Sequence, residues 1–338
     1  MNNLVNQSPR VSIIIPTSNG EATIGKCLEA LIHQTAAQDS YEIIVVDDGS
    51  EDSTCDQVEE YEKVRLFKQE NCGPASARNL GLNQARGEIV LFTDDDCEPV
   101  EDWIDRMLVP FQREEIVGVK GAYLTRQQAL VPRFVQLEFE DKYDRMAQDE
   151  YIDFIDTYCA GYRKSILIEN NGFDTTFPVA STEDQELSFR LARQGHKMLF
   201  EPRAKVYHLK HPRDLGEYWR KKFNIGYWKV VVHRRHPNKL FRDSHTPQVL
   251  KLQILLIGIT GLLLLAGFFW PPMWWLAGIT GLAFLLSTMP FVLKAWSKDR
   301  SAAVLSPALL FVRALALGMG FASGLIFNSK TRKQPDHR

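Results

Sequence analysis

Residues 93–99 read TDDDCEP and follow GEIVLF, an apolar run that heads into the interior of a sheet. Three adjacent carboxylates, Asp94, Asp95 and Asp96, repel and raise one another's pKa unless a cation or a donor-rich partner sits among them. Such a cluster can hold a hard dication on oxygen ligands. The alternative is a solvated acidic loop. Two more polar clusters, PTSNG at 16–20 and DDGSEDS at 47–53, also close apolar runs. In STEDQELSFR, Glu183 and Asp184 open what reads as a helix, whose N-terminus favours ionised carboxylates. A capping box with Ser181 or Thr182 as N-cap gives the same pattern.

The elements that must carry these groups alternate. Strand-like VSIIIPT, YEIIVVDD, VRLFKQ and GEIVLFTDDD are separated by helical patterns over about 22–34, 53–62 and 74–85. This alternation predicts an α/β domain with a mostly parallel sheet covered on both faces. In such a sheet the ligand crevice lies beyond the carboxyl ends of the strands, where all three polar clusters fall. Residues 115–210 form a second half. GVKGAYL and DFIDTYCAGYRKSIL supply strand-like pieces, and TEDQELSFRLARQG an amphipathic helix with core face Leu187, Phe189, Leu191 and Ala192 and with Gly195 as C-cap. HKMLFEPRAKVYH reads as a further strand pair.

The chain has 338 residues, a net charge of −2 and 45% hydrophobic residues, enough for one large or two modest domains. The apolar residues are concentrated toward the end. Residues 254–270 and 273–293 carry no charge, and each approaches the roughly 20 residues that a bilayer span requires. WPPMWW between them breaks the helix and places tryptophans at headgroup level, so 252–293 reads as a transmembrane hairpin. A third apolar segment, 304–327, contains Arg313 and a cluster of Gly318, Gly320, Ser323 and Gly324. It either spans or lies in the interface. The loop KAWSKDR and the tail SKTRKQPDHR are both basic, and three full spans would put that tail outside, against the positive-inside tendency.

Residues 211–248 are basic and aromatic, with Tyr218, Trp219, Tyr227 and Trp228. Directly before a hairpin, they are expected on anionic headgroups. Nothing resembles a nucleic-acid recognition module, so no nucleic-acid partner is expected. The first ten residues contain no secretory h-region, so the N-terminal part is expected in the cytoplasm. The five cysteines lack metal-ligand spacing and read as reduced thiols. The expected organisation is an extension (1–10), an α/β domain (11–210), a juxtamembrane region (211–248), a membrane region (249–329) and a basic tail (330–338).

The segments VSIIIPTSNGEATIGKCLEALIHQT, EIIVVDDGSEDST, NCGPASARNLGLNQARGEIVLFTDDDCEP, NGFDTTF and EDQELSFRLARQGHKMLFEPRAKVYH together resemble the family 2 inverting glycosyltransferases, whose catalytic domain has the GT-A fold. The resemblance covers roughly residues 11–210. It implies that Asp48, with Asp47 beside it, accepts from the donor nucleobase, and that the backbone at Pro16 and Thr17 lines the nucleoside pocket. The alternative for both aspartates is an Asx turn. Members often stack a tyrosine on the base where this chain has Ser18, a departure that leaves the base open.

Arg78 would meet phosphate or orient the acidic cluster, with a structural salt bridge as the alternative. DDD is similar to the family's DxD motif, in which Asp94 and Asp96 bracket a divalent metal, Mg or Mn, on the diphosphate of a nucleotide sugar, with Asp95 beside the donor. His208 matches a position that completes this shell in many such enzymes; a satisfied or surface histidine gives the same sequence. Asp184 is the implied base, with Glu183 the second candidate.

The implied protein is a multi-pass, membrane-anchored glycosyltransferase with a cytoplasmic catalytic domain. It moves one sugar from a nucleotide sugar to an acceptor, for which the anchor suggests a lipid-linked molecule. A processive polysaccharide synthase would carry Q-x-x-R-W, which LGEYWRKKF lacks. A non-catalytic nucleotide-binding scaffold has no need of intact candidates for metal site and base.

Overall fold

The computed structural model describes residues 9–177, 182–240, 244 and 246–327. The proposed cap Ser181 and the basic tail lie outside the described residues. The chain forms two compact units: residues up to 126 with 143–210, and 127–142 with 211 onward. The second unit thus draws one segment from within the range expected for the α/β domain.

The first unit is built on β1 (Val11–Thr17), α1 (Ile24–Ile32), β2 (Tyr41–Asp48), α2 (Thr54–Glu59), β3 (Val64–Gln69), α3 (Pro74–Gln84), β4 (Ile89–Thr93), β5 (Cys97–Pro99), α4 (Trp103–Leu108) and β6 (Ile116–Leu124). After α5 (Leu130–Met146), which begins in the other unit, come β7 (Cys159–Arg163), α6 (Lys164–Glu169), α7 (Glu183–Arg193) and β8 (Lys197–His208). One eight-stranded sheet has the order β3-β2-β1-β4-β7-β6-β8-β5. It is parallel over β3-β2-β1-β4 and between β6 and β8, whereas β7 runs antiparallel to β4 and β6, and β5 antiparallel to β8.

The Val- and Ile-rich runs form strands because both their faces are covered, which removes any need for polar alternation. Ile14, Ile44, Val46, Val90 and Phe92 join Tyr162, Phe173, Leu187 and Leu191 in one buried cluster. The shared register places Thr17 beside Asp47, so the ends of neighbouring strands meet at one rim. Helix α7 ends as its sequence indicates. Gly195 has φ +85° and its N–H donates to Ala192 O, while the His196 N–H reaches back to Leu191 O, the double closure that a left-handed residue permits.

The second unit contains the start of α5, α8 (Leu215–Arg235), α9 (Gln248–Gly267), α10 (Pro272–Trp296) and α11 (Arg300–Phe327). Asp214 caps α8 by accepting from the N–H groups of Gly216 and Glu217. Helices α9, α10 and α11 are each long and apolar enough to cross a membrane.

Arg313, the charge inside the third apolar segment, is buried and donates to Glu138 Oε1 at 3.0 Å and Gln253 Oε1 at 2.9 Å. Glu138 Oε2 meets Lys222 Nζ at 3.0 Å and accepts from the Tyr218 hydroxyl at 3.0 Å. Burial pushes the Glu138 carboxyl up, but Lys222, Arg313 and Lys142 outweigh it and bring it down to about 2. Lys222 is also lowered, because burial disfavours its charge and it gains one anion only in the company of a second cation.

This carboxylate stabilises the unit above the ordinary carboxylate range, and the contribution is lost as pH falls toward 2. Glu138→Gln is therefore expected to strand two buried cations at a cost of about 3–5 kcal/mol, read as a lowered unfolding temperature of the detergent-solubilised chain. Unchanged unfolding would show that the network carries no stability.

Candidate active site

The rim begins with Asp94, whose Oδ1 accepts from Arg78 Nη2 at 3.1 Å. The same guanidinium donates through Nη1 to Glu183 Oε1 at 2.7 Å, and both of these side chains are buried. Arg78 thus ties the acidic strand end to the first residue of α7. Asp94 remains raised, since burial outweighs Arg78 and Asp96 adds repulsion. Asp95 is raised to about 7, chiefly by burial and against a 2.6 Å hydrogen bond from Thr17 Oγ1. A Cβ at Gly20 would lie 2.3 Å from Asp95 Oδ2 and 2.5 Å from Thr17 Oγ1, so a larger residue there would displace the Thr17–Asp95 pair.

Asp96 Oδ2 lies 3.4 Å from Nε2 of the buried His208. The β5–β8 register makes this contact, because it sets Cys97 opposite His208. Asp94, Asp96 and Cys97 bring one ligand atom each to within 4.8 Å of one another. Burial, Asp96 and Asp94 hold the thiol well above its ordinary value, and a soft sulfur ligand does not suit Mg or Mn. The two carboxylates and the imidazole suit a hard dication such as Mg or Mn, so the residues present fit the implied metal.

The neighbouring strand end at Asp47 and Asp48 is more fully satisfied. Asp48 Oδ1 accepts from Gln69 Nε2 at 2.7 Å and the Cys72 N–H at 2.6 Å, while Oδ2 accepts from the Gly73 N–H at 2.9 Å. Asp48 therefore anchors the turn into α3. Asp47 accepts from the Ser50 N–H, three residues on, through both oxygens, at 3.3 and 3.2 Å, a side-chain bond that holds the Asp-Gly-Ser turn. Pro16 and Thr17 end β1 beside them.

Helix α7 brings its acids to the same region. Thr182 sits at the N-cap but makes no side-chain capping bond, and its buried hydroxyl has no hydrogen-bond partner among the described residues. Glu183 is engaged by Arg78 and Glu186 by Arg190. Asp184 instead accepts from the N–H of Gln185 at 2.7 Å. Burial raises it well above the carboxylate range, and Glu183 and Asp156 add to this. A raised carboxylate on a helix N-terminus is a strong proton acceptor once ionised.

Two residues here carried no clear mark in the sequence. Lys120, on β6, is fully buried, ion-paired with Asp156 and 3.2 Å from the Tyr158 hydroxyl. The rings of Tyr158, Phe154 and Tyr143 surround its ammonium at 4.8, 5.6 and 6.0 Å. The one available signal was a lysine inside the apolar strand IVGVKGAYL. Asp156 lies in an ordinary-looking FIDTY and matters only because the fold brings its charge to bear on Asp184.

A mixed sheet with three polar clusters on one rim, an Asp-rich strand end and a carboxylate-led helix facing the same region defines a GT-A nucleotide-sugar transferase fold. Residues 12–170 match the family model described as Glycosyl transferase family 2.

Glycosyltransferase AglE of Haloferax volcanii is 39% identical over 103 residues, 29% of this chain and 34% of that one. The probable glycosyltransferase YdaM of Bacillus subtilis is 28% identical over 230 residues, 63% of this chain and 54% of that one. The chain thus spans only about a third to a half of the length of these curated relatives. A Methanococcus voltae protein, the dolichyl N-acetyl-alpha-D-glucosaminyl phosphate 3-beta-D-2,3-diacetamido-2,3-dideoxy-beta-D-glucuronosyltransferase, is 24% identical over 96% of this chain and 99% of its own. Among solved structures, the mannosyltransferase PcManGT of Pyrobaculum calidifontis, in complex with GDP-Man and Mn2+, superposes with a TM-score of 0.61 at 18% identity, covering 96% of this chain and 89% of the other.

Proposed function

We propose that this chain is a membrane-anchored, non-processive inverting glycosyltransferase that moves a single sugar from a nucleoside-diphosphate sugar to a lipid-linked or envelope-glycan acceptor at the cytoplasmic membrane face. The observation that carries this reading is the Arg78 bridge, which holds Asp94 and the start of α7 on one guanidinium. Metal-side and acceptor-side carboxylates are thereby fixed in one frame.

Asp94, Asp96 and His208 would hold a divalent metal, which when bound neutralises charge on the departing diphosphate. Thr17 and Asp95, with Pro16, Asp47 and Asp48 behind them, shape the donor side. Asp184 takes the proton of the acceptor hydroxyl as its oxygen bonds to the anomeric carbon. The bond from that carbon to the diphosphate oxygen breaks, and its electron pair leaves with the nucleoside diphosphate. Glu183, bound to Arg78, positions the helix. The anchor and the near full-length likeness to a protein named for a dolichyl-linked sugar phosphate support a lipid-linked acceptor.

The test is release of nucleoside diphosphate from a panel of UDP- and GDP-sugars by the full chain in lipid, with Mn or with a chelator, followed by sizing of the product. Metal-dependent release with one sugar added is expected. Release that ignores the chelator would remove the metal assignment, a polymer would remove the single-transfer reading, and no release with any donor would remove the catalytic one.

A further inference from the structure

Within the second unit, α11 differs from its two apolar neighbours. Helices α9 and α10 bury little, and much of what they bury meets the first two-thirds of α11, Leu250 packing with Ala314 and Leu317, Gln253 bonding Arg313 and Ala295 packing with Ala302 and Ala303, while at their shared tip Phe268, Phe269, Trp270 and Trp275 stand exposed. Helix α11 buries one continuous face instead, which includes Leu309, Leu310, Arg313, Leu317, Gly320 and Gly324. On the opposite face Val304, Phe311, Met319 and Ile326 form an exposed apolar stripe.

The buried face lies along α8 in the same chain direction. Tyr218 packs with Leu309 and Leu310. A Cβ at Gly226 would lie 2.4 Å from Leu317 O, one at Gly320 would lie 2.1 Å from Phe223 O, and one at Gly324 would lie 2.5 Å from Tyr227 O. These glycines hold the two helices backbone to backbone, so wherever α11 goes, α8 goes with it.

Helix α8 cannot enter the hydrocarbon layer. It carries Arg220, Lys221 and Lys222 near one end and His233, Arg234 and Arg235 at the other, and Arg220, Lys221 and Arg234 are exposed. Between these groups lie residues 223–232, about 15 Å of helix against a hydrocarbon core of about 30 Å, and they still include Lys229. Each lipid-exposed charge at depth costs at least about 2.5–3.5 kcal/mol, more than a crossing of the α8–α11 pair could recover. An apolar stripe backed by a charged layer instead matches a helix lying in the interface plane.

We propose that α11 lies in the membrane interface with its Val304, Phe311, Met319 and Ile326 stripe against the acyl layer and with α8 at headgroup level, so that the chain crosses the bilayer only through α9 and α10. This rests on the anchored reading above. It puts the loop between α10 and α11 and the C-terminus on the face that carries the catalytic domain, where Lys294, Lys298 and Arg300 accord with the positive-inside rule.

The test uses the full chain in sealed vesicles of both orientations and a membrane-impermeant maleimide. Cys27, Cys97 and Cys159 are buried, Cys55 is partly exposed and Cys72 is exposed on the catalytic unit. Cys72 alone therefore serves as the reference in a Cys55→Ser chain, and Cys55→Ser with Cys72→Ser is the background for Ser297→Cys, Phe269→Cys and one cysteine appended after Arg338. Labelling of Ser297→Cys and of the appended cysteine from the same face as Cys72, with Phe269→Cys labelled only from the other, is expected. An appended cysteine that reacts from the face of Phe269→Cys would overturn the in-plane helix while leaving the anchor intact. Extraction of the chain by alkaline carbonate, with every position labelled in both vesicle types, would remove the anchor and this inference together.

Discussion

Asp96→Asn is expected to abolish sugar transfer and to erase the metal dependence of donor binding, while the chain unfolds at nearly its original temperature. Of the two DxD aspartates it gives the cleaner experiment. Asp94 shares Arg78 with Glu183, so its loss would also loosen the helix that carries the proposed base. Asp96 lies 3.4 Å from His208, and what its substitution takes from that contact is offset by relief of repulsion within the Asp94–Asp96 triplet. Donor binding is measured by calorimetry with Mn and with a chelator, on wild type and variant. Binding that neither the substitution nor the chelator changes would end the metal assignment.

Much of this site could be read from local pattern, because what a strand end exposes depends on the strand. The apolar runs before Thr17, Asp48 and Asp94 force parallel strands, and parallel strands share a rim. That is why three polar clusters far apart in sequence were legible as one place. The antiparallel β7 was not, since CAGYR has the same apolar character in either direction and its pairing with β4 and β6 is decided by partners distant in the chain. Lys120 and Asp156 were hidden for the same reason. A lysine in a strand has no local signature of an aromatic cage, and its counter-ion lies beyond a helix and a loop.

The membrane region repeats the lesson. Arg313 breaks the apolar character of its segment in sequence, yet in the fold it is an internal ion-pair partner of Glu138, which lies within residues 11–210. The small residues at 320 and 324 suit a membrane helix pair equally well, and only their seat against α8 distinguishes the two uses.

Asp184→Asn is expected to lower turnover by roughly two to four orders of magnitude with donor affinity little changed, because the base faces the acceptor. Asparagine keeps the size of the side chain, and its amide oxygen can still accept from the Gln185 N–H, so the variant removes the proton acceptor without removing the helix start. Glu183→Gln tests a different bond. It leaves the buried Arg78 with Asp94 as its remaining carboxylate partner, which loosens α7 and weakens the frame of the metal site. Its effect should therefore appear in stability and in metal-dependent donor affinity as well as in turnover, whereas that of Asp184→Asn should be confined to turnover. The pH profile separates the two further. Burial, Glu183 and Asp156 raise the Asp184 carboxyl, so wild-type turnover should fall on the acid side at a pH above the ordinary carboxylate range, since the protonated form cannot accept the acceptor's proton. The residual activity of Asp184→Asn should lack that limb. A near-normal rate for Asp184→Asn beside an inactive, fully folded Glu183→Gln would move the base to Glu183, and full activity in both would reduce the pair to a helix start.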